Sequence, residues 1–187
     1  MNQKAAKEII RKNVLRKLRN LTKEERRQKS LEIKEKLFRS RVFKNATTIM
    51  FFVSKEDEVD TFMMIRQALR MGKKVAVPVI QHNKKSLLVS EIRDMKRELV
   101  RGPYTIYQPA KEFIKPMKPD ELDLVLIPGI AFTKAGLRLG RGKGYFDRFL
   151  KKLPQSIERI GVSFNFQILK TLPISPHDMP VSRVLTA

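Results

Sequence analysis

Six short runs of branched and aromatic apolar residues recur along this chain with helix-patterned stretches among them, and that alternation restricts the fold more than any other feature. The runs are TTIMFFVS (47–54), KKVAVPVI (73–80), SLLVSEI (86–92), LDLVLIPGIAF (122–132), RIGVSFN (159–165) and SRVLT (182–186). Continuous apolar character over so few residues is that of strands buried on both faces. After the first run EDEVDT leads into FMMIRQALRMG, a helix with Asp60 as its expected N-cap and Gly72 as its stop. Ahead of all of them, Ile10, Val14, Leu18 and Leu21 line one face of a first helix, and Thr22 with Glu25 forms a capping box for a second carrying Leu31, Ile33, Leu37 and Phe38. The expectation is an α/β three-layer sandwich: a mostly parallel or mixed sheet with helices on both faces, preceded by an N-terminal helical hairpin. At 187 residues, one domain over 1–187 is expected.

The segment RGPYTIYQPAKEFIKPMKPDE, from about 100 to 120, holds four prolines and is expected to be a surface loop, either a lid over a site or a plain connection. No apolar run reaches the roughly 20 residues that cross a bilayer, and MNQKAAKEIIRKN has no secretory h-region, so a cytoplasmic protein with no membrane partner is expected. Cysteine is absent, which excludes disulfides and thiolate chemistry, and two histidines, His82 and His177, are too few for a histidine zinc site. Any metal must be held mainly by oxygen.

The formal charge of +21 suits a polyanion or a phosphorylated small molecule. Residues 1–44 carry 16 Lys and Arg against 5 Glu, so +11 of that excess lies in the helical hairpin. Aromatic residues make up 7% of the chain and tryptophan is absent, which leaves few stacking platforms for single-stranded nucleic acid. No specific nucleic-acid partner is expected.

The chemistry concentrates in GLRLGRGKGYFDRFL (136–150), which follows the apolar run at 122–132 and precedes a helix expected to begin near Gly144. Gly140, Gly142 and Gly144 allow backbone N–H groups to turn toward a phosphate, and Arg138, Arg141 and Lys143 add full charges. Asp147 is suitably placed to hold magnesium against the same phosphates. Neither a P-loop nor a dinucleotide fingerprint fits, because Gly144 follows Lys143 and the spacing is GxGxG. The residues alone leave a phosphate-binding turn and a flexible basic turn both open.

The run PGIAFTKAGLRLGRGKGYFDRFL resembles the signature region of the 5-formyltetrahydrofolate cyclo-ligase (methenyltetrahydrofolate synthetase) family, with Phe146 where tyrosine is usual. KEIIR (7–11), EDEVDT (56–61), GKKVAVPVI (72–80) and HDMPVSRVLT (177–186) resemble further family segments in the same order. The resemblance implies an enzyme that uses MgATP to phosphorylate the formyl oxygen of 5-formyltetrahydrofolate, after which N10 closes the ring to 5,10-methenyltetrahydrofolate with release of ADP and phosphate. It implies ATP contacts from Lys7, Arg11 and the run Arg138, Leu139, Gly140, Arg141, Gly142, Lys143, Gly144, Tyr145 and Phe146. Lys143, Arg141 and Tyr145 would act on the transferring group. Folate would meet Val53, Glu58, Arg141, Gly142, Lys143, Gly144 and Tyr145, with Phe52 in the same wall, and Mg²⁺ would be held by Asp147 and by Asp178.

Each residue also has a plainer reading: solvated helix charges for Lys7 and Arg11, a helix-start carboxylate for Asp147, turn chemistry for Asp178, a surface acid for Glu58, and core for Phe52 and Val53. Met63, Met64 and Met71 read as core filler, and neither histidine has support as a catalyst. A monomer acting on two small molecules is expected.

Overall fold

The computed structural model describes residues 2–187. In chain order it places α1 (Gln3–Asn20), α2 (Lys23–Arg39), α3 (Arg41–Asn45), β1 (Thr48–Met50), α4 (Phe62–Arg70), β2 (Lys74–Gln81), β3 (Ser86–Ile92), α5 (Met95–Glu98), β4 (Leu99–Arg101), β5 (Tyr107–Pro109), β6 (Lys115–Met117), β7 (Leu124–Ile127), β8 (Ala131–Phe132), β9 (Arg138–Leu139), α6 (Tyr145–Leu150), β10 (Glu158–Ser163) and β11 (Arg183–Thr186). Seven strands form one sheet in the order β11-β10-β7-β1-β2-β3-β6. Neighbours from β11 to β2 pair in parallel, whereas β3 runs antiparallel to both β2 and β6.

Alternation along the central strands decides which layer each side chain joins. Ile49, Val75, Val77, Leu124, Leu126, Ile160 and Val162 pack with Val14 and Leu18 of α1, Ile33 and Leu37 of α2, and Met64, Ile65 and Ala68 of α4. Their neighbours Met50, Ala76, Val125 and Ile127 point the other way, against Phe149 and Leu150 of α6. The period of two in a strand thus builds the three layers expected from the sequence. Leu18 is 1% exposed within the first cluster. Leu18→Ala is expected to cost about 2–5 kcal/mol, measured by denaturant unfolding, because burial is lost and a close-packed surrounding relaxes only partly into the gap.

The helix boundaries follow their local chemistry. Thr22 and Glu25 make the reciprocal capping box at α2, and Gly72 (φ +73°) ends α4. At the start of α4, Thr61 rather than Asp60 holds the cap position, although Asp60 Oδ1 accepts from the Phe62 amide at 2.8 Å. Met64 is fully buried and Met63 packs at the core edge, but Met71 is 52% exposed and is not core.

Three further expectations change. The first apolar run keeps its burial through Ser54 but leaves the ladder after Met50, where Thr61 Oγ1 takes over, donating to the Phe52 carbonyl at 2.7 Å and accepting from the Ser54 amide at 3.0 Å. The run at 122–132 divides at Pro128, which has no N–H to give a ladder, and resumes as the β8–β9 hairpin. The proline-rich segment is not a bare loop, since β4 and β5 form a hairpin and β6 supplies an edge of the main sheet.

Candidate functional site

A cavity of about 220 Å³ opens where β1, β2 and β7 end at their carboxyl sides. The chain leaves β1 through α4 toward β2, and leaves β7 through the β8–β9 hairpin and α6 toward β10 on the opposite side. Strands that depart in opposite directions leave a crevice between them, where open α/β sheets bind ligands. Phe52 and Val53 beyond β1, Pro78 and Ile80 of β2, and Tyr104 and Ile106 of the β4–β5 hairpin give the cavity its apolar wall. Arg138, Gly140, Arg141, Lys143, Gly144, Tyr145, Phe146 and Asp147 form the facing wall, with Lys55 and Glu58 at the rim.

The glycine turn is built for close approach. Gly142 and Gly144 have φ of +96° and +68°, a region in which a side chain is strained. Among the described residues, the amides of Arg141, Gly142, Lys143 and Gly144 donate to no backbone acceptor. Four such amides beside Arg141 and Lys143 are the ingredients of an anion-binding concavity. Arg11 braces the turn from α1: its Nε donates to the Gly140 carbonyl at 3.0 Å, and its guanidinium carbon would lie 3.4 Å from a Cβ on Gly142.

The sequence-expected residues fall into groups. Lys143 is exposed, with its ammonium 5.8 Å from the centre of the Tyr104 ring. Tyr145 opens α6, its ring 6.4 Å from that of Tyr104, and the proximity of the Tyr104 hydroxyl raises its pKa above the ordinary phenol value. Phe146 lines the cavity and also packs edge-on to Phe149, so a ring alone serves there. Leu139 is 3% exposed and turns its side chain into the core, leaving backbone for any ligand contact. Arg138 is likewise buried, pairing with Asp147 while Nη1 donates to the Pro128 carbonyl at 3.3 Å.

Lys7 is buried, donating to Ser175 Oγ at 2.9 Å and pairing with Asp178, so it ties α1 to the segment before β11. Asp178 also accepts from the Ser175 amide at 2.7 Å and does not line the cavity. Asp147 does line it. One carboxylate oxygen of Asp147 takes Arg138 and, at 3.3 Å, the Met179 amide, while no protein donor among the described residues meets the other. No group of three or more His, Asp or Glu gathers among the described residues, so a cation here would rely on ligand oxygens as well as Asp147. A hard oxygen donor set of that kind fits magnesium bound to phosphates.

Across the rim, Arg141 Nε donates to Glu58 Oε1 at 3.0 Å and Nη2 to Asp57 Oδ1 at 2.7 Å. Burial alone would lower the Arg141 pKa, but the Glu58 and Asp57 carboxylates outweigh it and hold the guanidinium above its ordinary value.

Sequence reasoning missed Asp57, Lys55, Pro78, Ile80, Tyr104, Ile106 and Arg148. Arg148 donates to the Lys85 carbonyl at 2.6 Å and the Lys143 carbonyl at 3.0 Å, fastening the glycine turn to the β2–β3 hairpin. The final residues of β2 were discoverable, because parallel strands present their carboxyl ends to the same crevice. Tyr104 carried no such cue.

An open α/β sheet with a cavity at its switch point, walled by apolar residues on one side and a basic glycine turn on the other, defines an α/β protein whose site suits an anionic ligand beside a largely apolar one. Its sequence matches the 5-formyltetrahydrofolate cyclo-ligase family over residues 3–187, and the chain belongs to that family. The mouse 5-formyltetrahydrofolate cyclo-ligase is 32% identical over 97% of this chain and 93% of its own. The Escherichia coli K12 5-formyltetrahydrofolate cyclo-ligase is 30% identical over 75% of this chain and 78% of its own. The NMR structure of Aquifex aeolicus 5,10-methenyltetrahydrofolate synthetase superposes with a TM-score of 0.84 at 30% identity, covering 96% of this chain and 89% of that one.

Proposed function

We propose that the protein converts 5-formyltetrahydrofolate and ATP into 5,10-methenyltetrahydrofolate, ADP and phosphate, as a single-domain cytoplasmic monomer. The observation that carries this reading is the glycine turn with its unpaired amides, facing an apolar cavity of ligand size in a chain of the cyclo-ligase family.

A formyl oxygen bound to carbon is a poor leaving group until it is phosphorylated. In the first step the γ-phosphoryl group passes from ATP to that oxygen and ADP departs. In the second the N10 lone pair attacks the formyl carbon, a C–N bond forms, the C–O bond to phosphate breaks, and N10 releases its proton. Both steps spread negative charge over phosphoryl oxygens, and catalysis rests on positioning and charge stabilisation. Lys143 and Arg141 supply cations at the transferring group, and the amides of residues 141–144 hold the phosphates. Lys7 and Arg11 shape the nucleotide side from α1. Tyr145 orients the formyl end, Glu58 accepts N–H donors of the pterin, and Phe52 and Val53 pack its ring. Magnesium, when bound, would screen the phosphates; Asp147 would hold it together with phosphate and water oxygens, whereas Asp178, expected from the sequence as a second ligand, is engaged by Lys7 away from the cavity.

Mixing the protein with MgATP and 5-formyltetrahydrofolate is expected to develop the long-wavelength absorbance of the methenyl product. No change at saturating concentrations of both substrates would refute the proposal. If the protein bound both ligands without reacting them, it would instead be a noncatalytic member of the family.

A further inference from the structure

Two consecutive carboxylates meet one guanidinium at the cavity rim, and nothing in the reaction as described uses the first of them. Lys55 to Glu58 form a tight turn: the Glu58 amide donates to the Lys55 carbonyl at 3.1 Å, and the Lys55 amide to Glu58 Oε2 at 2.9 Å. Along a strand, neighbours at 57 and 58 would point to opposite faces. This turn brings both to Arg141, with Asp57 Oδ1 at 2.7 Å and Glu58 Oε1 at 3.0 Å. The three side chains are partly buried, 23% exposed for Asp57, 15% for Glu58 and 33% for Arg141, so their contacts are only partly screened.

The two carboxylates are not equivalent. Glu58 is the one that lines the cavity; Asp57 does not. A pterin that donates its N–H groups to Glu58 competes with Arg141 Nε and Nη2 for Oε1, which both nitrogens approach, and with the Lys55 amide for Oε2. The guanidinium would then be loose at the moment it is needed, unless something else retained it. Nη1 of Arg141 meets no protein acceptor among the described residues, so it is available to a phosphate while Nη2 stays anchored.

The geometry points to Asp57 as the positioning residue that retains Arg141 when folate takes Glu58, so that occupation of the folate cavity leaves the guanidinium aimed at the phosphoryl group. This rests on the proposed function and adds to it a division of labour within the acidic pair: Glu58 for the pterin, Asp57 for the arginine. Asp57 touches neither substrate and acts only through Arg141.

The test compares the affinity of a non-hydrolysable ATP analogue with magnesium, by calorimetry, for the free protein and for the protein saturated with 5-formyltetrahydrofolate. In Asp57→Ala the free protein is expected to bind the analogue within about twofold of the unsubstituted chain, because Glu58 still holds Arg141. With folate bound, the variant is expected to lose about tenfold, the scale of one hydrogen bond to a charged group. Asp57→Glu, which keeps the charge, is expected to regain part of that loss. A merely structural role would weaken both forms equally, and equal weakening, or none, overturns the inference while leaving the proposed function intact. Failure of the unsubstituted protein to bind 5-formyltetrahydrofolate at all would overturn both.

Discussion

Lys143→Ala is expected to lower kcat by about 10²–10³-fold with the unfolding midpoint unchanged. Lys143 is exposed and contacts little beyond the face of Tyr104, so the fold loses almost nothing with it. In the proposed reaction its ammonium, on the cavity wall, would face developing phosphoryl charge, and a preorganised charge-stabilising group removed from such a position costs on that scale. A steady-state assay beside a thermal melt separates the two effects. Unchanged turnover would remove Lys143 from the mechanism, and a fall in the midpoint to match the lost activity would make its role structural.

Asp147→Ala is expected to damage both properties. The sequence alone presents Asp147 as a metal ligand, whose loss would leave a native midpoint, or as a helix-start carboxylate, whose loss would lower it. The structure adds Arg138, whose side chain is 2% exposed and whose Nε already lacks a partner. Without Asp147 that buried guanidinium has no countercharge, and the loss is expected to reach about 3 kcal/mol by denaturant unfolding. Turnover is expected to vanish as well, because Asp147 is the cavity carboxylate proposed to hold magnesium. The double variant Arg138→Met with Asp147→Ala is expected to recover part of the stability and none of the activity. A single variant as stable as the unsubstituted chain would mean that the Arg138–Asp147 pair does not form.

Much of the fold is readable from local pattern. The hairpin helices declare themselves through the Ile10–Val14–Leu18 stripe and the Thr22–Glu25 box, and β3 falls on the apolar run SLLVSEI. The strands β4, β5 and β6, each three residues long and two of them containing proline, show neither a period nor a composition that marks a strand; pairing partners brought by the tertiary fold create them. The strand β1 illustrates the converse, since burial continues past the point where its ladder ends and apolarity cannot report that change.

The site divides along similar lines. Glycines, lysine and arginines of the 138–147 turn sit together in the sequence, so their anion chemistry is visible there. The pairings that tune them are not: Arg141 meets residues 57 and 58 across more than 80 positions, and Arg11 meets Gly140 across 129. Such contacts depend on where the sheet brings loops together, and charges spaced irregularly along loops give no advance notice of their partners.

The most direct test of the account is a crystal structure with a non-hydrolysable ATP analogue, magnesium and 5-formyltetrahydrofolate bound together. The β- and γ-phosphates are expected against the amides of Arg141 to Gly144, with the formyl group beside them in the cavity walled by Phe52, Val53 and Ile80. Triphosphate density bound elsewhere on the protein, with the 138–147 turn still holding only its own carboxylates, would contradict it.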